Sequence, residues 1–242
     1  MPMKNLEIIF EDDYYVVVNK QAGMLTIPDR YNDAIPSVLG ELRKKYNPIF
    51  TVHRIDKYTS GVLCFAKTEE AHKHLNTQFE QHTLQKTYQV LVLGETEDEG
   101  KIEYKIMPDP REDGRMEASE KYGKASLTNY KTIKNFGHDY SWVEAYPQTG
   151  RTHQIRVHFL AIGHPLLIDD MYGSPEPFLL STVKRKYKLS KNEEAEKPLM
   201  ARLTLHSSRL EFRHVVDEKT IVVDAPLPKD FAAVIKQLEK NY

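Results

Sequence analysis

Three residues able to do chemistry fall within four positions of the stretch TVHRIDKYTSGVLCFAKT, Thr51 to Thr68: His53, Arg54 and Asp56. A cation beside an aspartate keeps the carboxylate ionised in a partly buried setting, ready to act as nucleophile or general base. Alone the cluster is weak evidence, because an Asp near an Arg at a strand entrance is more often a tether than a catalyst. A second basic cluster, GRTHQIRVH, runs from Gly150 to His158. A helix starting near Thr152 would set Thr152 and Arg156 four apart, and likewise Gln154 and His158. Arg151 at the head of such a helix would favour an anionic partner, although a solvated face with carboxylate partners is the plainer reading. His153 and His158 are expected in hydrogen-bonded structural roles, since no carboxylate or cysteine completes a metal-ligand set. Tyr88 alternates with Val90 and Val92 and reads as core, yet a tyrosine beside a polar pocket can stack on a base while its hydroxyl finds a partner.

These side chains need elements to hold them. Val62 to Ala66 is a compact apolar strand, and Thr59, Ser60 and Gly61 before it favour a turn that aims the preceding loop. Leu6 to Phe10 and Tyr14 to Asn19 read as paired strands about a turn at Asp12 and Asp13, with a loop through Gly23 and Pro28 after them. Helical spacing covers Pro36 to Tyr46, Glu69 to His82, with Ala71, Leu75 and Phe79 on one stripe, and Gln154 to Ile162, which stops at Gly163. Lys86 to Leu93 is a strand, Gly94 to Lys121 a hairpin with loops, and Lys124 to Ile133 and Ser141 to Tyr146 are strands. Pro175 to Pro198 is a weakly patterned, charged insertion. RLTLHSSRLEF and TIVVDAPLP resume the strand pattern, and an amphipathic helix at Lys229 to Lys240 turns Phe231, Val234, Ile235 and Leu238 inward. Strands mixed with helices and hairpin-like pairs predict an α+β fold with a largely antiparallel sheet.

A chain of 242 residues is long enough to bury a substantial core, and 40% hydrophobic with 29% charged residues argues against disorder. The single cysteine, Cys64, excludes an internal disulfide and a cysteine-rich metal site, and within VLCFA it reads as core. No apolar run of about 18 residues occurs, and Met1 to Asn5 lacks the features of a signal peptide, so no membrane partner and a cytoplasmic location are expected. The net charge of −1 does not advertise a nucleic-acid partner. The clearest basic patch, KRKYKLSK from Lys184 to Lys191, is followed directly by acids at Glu193 to Glu196, which favours a solvated charged segment. Glycine-rich phosphate loops, the Rossmann fingerprint, HExxH and GxSxG are all absent.

In their order and intervals, HRID with TSGVLCFAKT, then QKTYQVLVLG, then PQTGRTHQIRVHFLAIGHPLL resemble the RluA-type family of RNA pseudouridine synthases. The family pattern HRLDxxTSGLLLxAK is met with Ile55 and Val62 in leucine positions, and VVVNKQAGMLTIP is similar to the family's opening strand and loop, with Gln21 where proline is usual. The resemblance runs from about Glu7 to Pro226. It implies a single catalytic domain over the chain, with a mixed, mainly antiparallel central sheet, flanking helices and a catalytic cleft. It also implies no separate N-terminal RNA-binding domain and an insertion at about 175–198.

By the resemblance, Asp56 matches the essential aspartate, which attacks the sugar or acts as base while uracil is detached, rotated and rejoined through carbon. Tyr88, with Lys86 in K-x-Y, matches a tyrosine that stacks on the target base and assists proton transfer. Arg156 matches the arginine that pairs with the aspartate, Arg54 one that fills the place of the displaced nucleotide, and Leu205 an apolar residue under the base. His53 and Arg151 are further expected substrate contacts. The reaction implied is isomerisation of specific uridines in tRNA or rRNA without a cofactor, by a protein expected to be a monomer. Ile168 stands at a usual glycine position in HPLLGD, so a different loop path is expected there. Basic residues of the insertion, Lys184, Arg185, Lys186, Lys188 and Lys191, are either an RNA contact or a surface excursion. The rival readings are a non-catalytic RNA-binding protein on the same scaffold, disfavoured by the intact set of four side chains, and a glycoside hydrolase, disfavoured by the lack of a second carboxylate.

Overall fold

The computed structural model describes residues 6–32, 34–189 and 194–242. Met1 to Asn5, together with Lys191 and Glu193 of the insertion, lie outside the described residues. In chain order the strands are β1 (Glu7–Glu11), β2 (Tyr15–Lys20), β3 (Phe50–Thr51), β4 (Ser60–Ala66), β5 (Gln85–Leu93), β6 (Glu99–Pro108), β7 (Met116–Ser119), β8 (Lys124–Phe136), β9 (Tyr140–Pro147), β10 (Leu205–Arg213) and β11 (Thr220–Asp224). The α-helices are α1 (Val38–Leu42), α2 (Glu69–Glu80), α3 (Gln154–Ala161) and α4 (Lys229–Asn241). Strands mixed with helices, mostly in antiparallel pairs, make the α+β class expected from the sequence.

The chain divides into two compact units built from interleaved segments: Met1–Tyr88, Tyr146–Thr149 and Leu205–Pro226 in the first, Gln89–Ala145, Gly150–Thr204 and Leu227–Tyr242 in the second. In the first unit β4 pairs antiparallel with β2 and β3 and parallel with β10, which pairs antiparallel with β11. All seven residues of β4 are buried, which is why SGVLCFA reads as an unbroken run instead of an alternation. Tyr15, Val17, Val62, Cys64, Leu75, Leu210 and Phe212 form this unit's core. Helix α2 starts where Thr68 Oγ1 accepts the Ala71 N–H at 3.1 Å, with Glu69 and Glu70 at its positive end. The segment Pro36 to Tyr46 is helical over a shorter span than its spacing predicts. It is capped by Ser37, whose Oγ accepts the Gly40 N–H at 3.1 Å, and is followed by turns.

In the second unit β6 pairs antiparallel with both β7 and β8, giving the hairpin expected in Gly94 to Lys121. Helix α4 buries Phe231, Val234, Ile235 and Leu238 against Leu91, Phe136, Leu167 and Ile168. Ile168 thus fills core where the family pattern has glycine, and its N–H donates to Thr204 Oγ1 at 3.2 Å. The insertion is pinned at its root by an antiparallel bridge between Phe178 and Met200, both buried. Helix α3 begins at Gln154, as the spacing over Gln154 to Ile162 predicts, and not near Thr152, because His153 adopts a left-handed backbone, φ 55°. Arg156 is buried in α3 and not on a solvated basic face, and His158 is buried in the hydrogen-bonded structural role expected of it. Among the described residues no helix is long and apolar enough to cross a membrane.

Candidate active site

The loop between β3 and β4 carries Asp56, and its backbone is fixed from several sides within the first unit. His53 points back into the unit: its Nε2 accepts the Cys64 N–H at 3.0 Å, and its ring stacks on Phe79 at 4.9 Å between centroids. Burial, with the Lys86 charge as a smaller cause, pushes the imidazole down to about 3, so His53 is neutral at any ordinary pH and suited to accept that hydrogen bond. Thr26 Oγ1 donates to the Ile55 carbonyl at 2.9 Å, and the Thr59 N–H closes the turn on the Asp56 carbonyl at 3.2 Å.

Lys20, at the end of β2, is fully buried. Its ammonium donates to the carbonyls of Lys57 and Met24 at 2.8 Å each and of Gln21 at 3.2 Å. The Gly23 N–H reaches the same Lys57 carbonyl at 2.8 Å. A buried ammonium is tolerable only when its protons are hydrogen-bonded, and here those bonds hold the loop after β2 against the peptide following Asp56. Sequence reasoning missed Lys20 and Thr26. The available signal was a lysine completing the apolar strand YVVVNK.

Tyr88, on β5, is buried, and its phenol is pushed up to about 12. Desolvation is the main cause; a hydrogen bond with Ser207 opposes it and the negative charge of Asp56 adds to it. Asp56 and Tyr88 therefore feel each other inside one unit, with Ser207 of β10 as a third member. Gly61 pairs with Ser207 and Ser60 with His206, so the turn after Asp56 and the partner of Tyr88 are fixed by one stretch of parallel pairing. A Cβ on Gly61, φ +110°, would run into the Ser207 backbone. Leu205 opens β10 and is buried in the same unit. Lys86 donates to the Thr149 carbonyl at 3.1 Å, and burial lowers its ammonium to about 8. Arg54, Lys57 and Tyr58 are exposed around Asp56, the Tyr58 ring 43% exposed with the Lys57 ammonium 5.2 Å from its centroid.

Arg151 and Arg156 belong to the second unit. Arg156 is buried and held by Asp169, its Nε donating to Oδ2 at 2.7 Å and Nη2 to Oδ1 at 2.6 Å, while its guanidinium lies 4.8 Å from the Tyr172 ring centroid. Arg151 donates from Nε to the Ala125 carbonyl at 3.1 Å, and its backbone N–H donates to Gln154 Oε1 at 3.0 Å. Thr128 Oγ1 bonds both Gln154, at 3.0 Å, and His158, at 2.9 Å, so the four-residue spacing read from the sequence does bring these two side chains to one partner. Among the described residues no group of three or more His, Cys, Asp or Glu could hold a metal ion.

A carboxylate on a turn held by several hydrogen bonds, in the same unit as a buried phenol that its charge helps to keep protonated, makes a candidate site for acid–base or nucleophilic work. The family model for RNA pseudouridylate synthase matches residues 14–161. The chain is 32% identical to the dual-specificity RNA pseudouridine synthase RluA of Pasteurella multocida, over 91% of this chain and 93% of that one. It is 35% identical to the ribosomal large subunit pseudouridine synthase D of Neisseria meningitidis, covering 96% of this chain and 61% of the relative. Among solved structures, human RNA pseudouridylate synthase domain containing 4 superposes with a TM-score of 0.74 at 21% identity, covering 96% of this chain and 93% of its own. Human RNA pseudouridylate synthase domain containing 1 does so with a TM-score of 0.68 at 25% identity, covering 99% and 97%. The chain belongs to the RNA pseudouridylate synthase family, as its motifs led us to expect. It is an isomerase that converts uridine in RNA to pseudouridine.

Proposed function

We propose that Asp56 is the catalytic carboxylate and that the substrates are specific uridines of tRNA or ribosomal RNA. The observation that carries this reading is that Asp56 lies on a turn held by Lys20, Thr26 and Thr59 in the same unit as buried Tyr88, whose phenol its negative charge helps to raise. The relatives named for ribosomal and dual RNA specificity support the substrate class. In the reaction the bond from C1′ to N1 breaks, a bond from C1′ to C5 forms, the C5 proton leaves and N1 gains one. Atoms and electrons balance within the nucleotide, so no redox partner is needed.

Asp56, as nucleophile or base at the sugar, works from a turn whose backbone cannot drift. Tyr88 offers a flat wall for a flipped base, offsetting part of an extrusion cost of a few kcal/mol. With its phenol held near 12 it stays protonated at neutral pH, so it holds or passes a proton without placing a second negative charge beside Asp56. Arg156 is assigned as the cationic partner of Asp56, with Asp169 orienting its guanidinium. Arg54 and Arg151 are assigned to RNA, Leu205 to the apolar floor under the base, and His53 to positioning the loop in preference to touching RNA. We further assign the protein to the cytoplasm, as a monomer acting as one catalytic domain.

Pseudouridine mapping of tRNA and ribosomal RNA, from cells with and without the gene, names the modified site. Asp56→Asn should abolish product with fold and RNA affinity retained. Tyr88→Phe should slow turnover at least about a hundredfold while changing affinity little. Full activity of Asp56→Asn would refute the assignment.

A further inference from the structure

We propose that the basic stretch Lys184 to Lys188, standing on the root formed by Phe178 and Met200, is an electrostatic arm that binds phosphates of the RNA substrate away from the target nucleotide. Resting on the function proposed above, this deepens it by giving the enzyme a second RNA contact, on the second unit. The root of the arm is rigid. Phe178 N–H donates to the Met200 carbonyl at 2.8 Å and Leu199 N–H to the Phe178 carbonyl at 2.9 Å, and Val183 packs on the core that includes Phe231 and Leu238. Beyond Val183 the backbone turns on itself, Lys184 N–H reaching the Leu180 carbonyl at 3.0 Å and Tyr187 N–H the Lys184 carbonyl at 3.1 Å.

On that root stand Lys184, Arg185, Lys186 and Lys188, all exposed. The sequence offered a bland alternative, in which the acids that follow neutralise them. The structure answers this for the described residues: none of the four forms an ion pair with any of them. Glu196 instead accepts the Ser181 N–H at 2.9 Å, bracing the turn at the arm's root. Four cations in five residues, on a molecule of net charge −1, make a local positive source that the whole chain does not provide. Exposed cations with no ion-pair partner among the described residues lose little on meeting phosphates, and each phosphate neutralised releases condensed counterions. The matching partner is therefore a polyanion with closely spaced charges, the chemistry of the substrate itself.

The test compares the wild type with a Lys184→Gln, Arg185→Gln, Lys186→Gln, Lys188→Gln variant. Binding to bulk tRNA and to large-subunit ribosomal RNA fragments is followed as salt rises from about 50 to 200 mM. A control variant removes four exposed lysines elsewhere in the same unit, at Lys134, Lys229, Lys236 and Lys240. The arm variant should lose roughly 3 from the magnitude of the log–log salt slope, at about 0.7–0.9 per phosphate contact. Its turnover at saturating RNA should match the wild type, and the control should change the slope far less. An unchanged slope in the arm variant, as expected if the arm serves an acidic protein instead, overturns the proposal, and so does an equal loss in the control. Should the wild type form no pseudouridine in any RNA, the functional reading fails, while the slopes still decide the arm.

Discussion

The ammonium of Lys20 donates to the carbonyl of Lys57, the residue after Asp56, at 2.8 Å. This bond ties the end of one buried strand to the turn that presents Asp56, the carboxylate proposed as catalytic. Lys20→Met would take the ammonium from the Gln21 and Met24 carbonyls and leave the Lys57 carbonyl only its bond from the Gly23 N–H. It should cost about 2–4 kcal/mol of stability and lower turnover at saturating RNA, because Asp56 is no longer held in register. Urea melts and single-turnover rates read the two effects separately.

Acid should weaken the fold before it titrates the exposed carboxylates. Burial lowers His53 to about 3 and His158 to about 4, against an ordinary value of 6.5. Both stay neutral in the folded chain while the unfolded chain takes up their protons, so stability is present above pH 6.5 and is lost as pH falls toward the folded values. At pH 5 each histidine should have cost roughly 2 kcal/mol relative to neutral pH. A His158→Gln variant should show a shallower decline in denaturation midpoint over the same range.

Lys86 acts at the other end of the scale. Its buried ammonium falls to about 8 from 10.5, so in the folded chain it releases its proton at a lower pH than in the unfolded chain. The cost of burying its charge is full below pH 8 and is relieved as pH rises toward 10.5. Between pH 8 and pH 10 the wild type should gain roughly 2 kcal/mol over Lys86→Met, read from denaturant midpoints at the two pH values.

Removing Asp169 takes from the buried Arg156 guanidinium its two shortest hydrogen bonds and leaves the longer contact to Asp170 at 3.3 Å. Asp169→Ala should cost about 3–5 kcal/mol, and Asp169→Asn less, because the amide oxygen still accepts from the guanidinium. Thermal melts of the two variants check the order.

The parts of this fold that were legible in the sequence are those decided locally. SGVLCFA declares a strand buried on both faces, and α2 and α4 declare themselves by spacing and, for α2, by the Thr68 cap. What escaped depends on partners far along the chain. Arg156 read as part of a solvated helix face because Asp169, which holds it in the interior, is invisible to helical periodicity, whereas His158 takes the hydrogen-bonded structural role expected of it, on Thr128 and Ser126. The helical spacing read over Gln154 to Ile162 gave the start of α3, but the left-handed turn at His153, which rules out a start near Thr152, follows from no propensity rule for histidine. Asp56 and Tyr88 were found through ordered motifs, but Ser207 and Lys20, which fix their surroundings, came to light only in three dimensions.

The parallel pairing of Ser60 and Gly61 with His206 and Ser207 also sets a timetable. Ser60 Oγ and His206 Nδ1 meet at 2.9 Å across 146 positions of sequence. As the chain leaves the ribosome, the Asp56 turn and β5 emerge early, yet the strand that seats Gly61 and supplies the partner of Tyr88 is made only in the last fifth. The turn that carries Asp56 therefore waits in the nascent chain for a strand that follows it by well over a hundred residues, and is seated only when β10 pairs with β4.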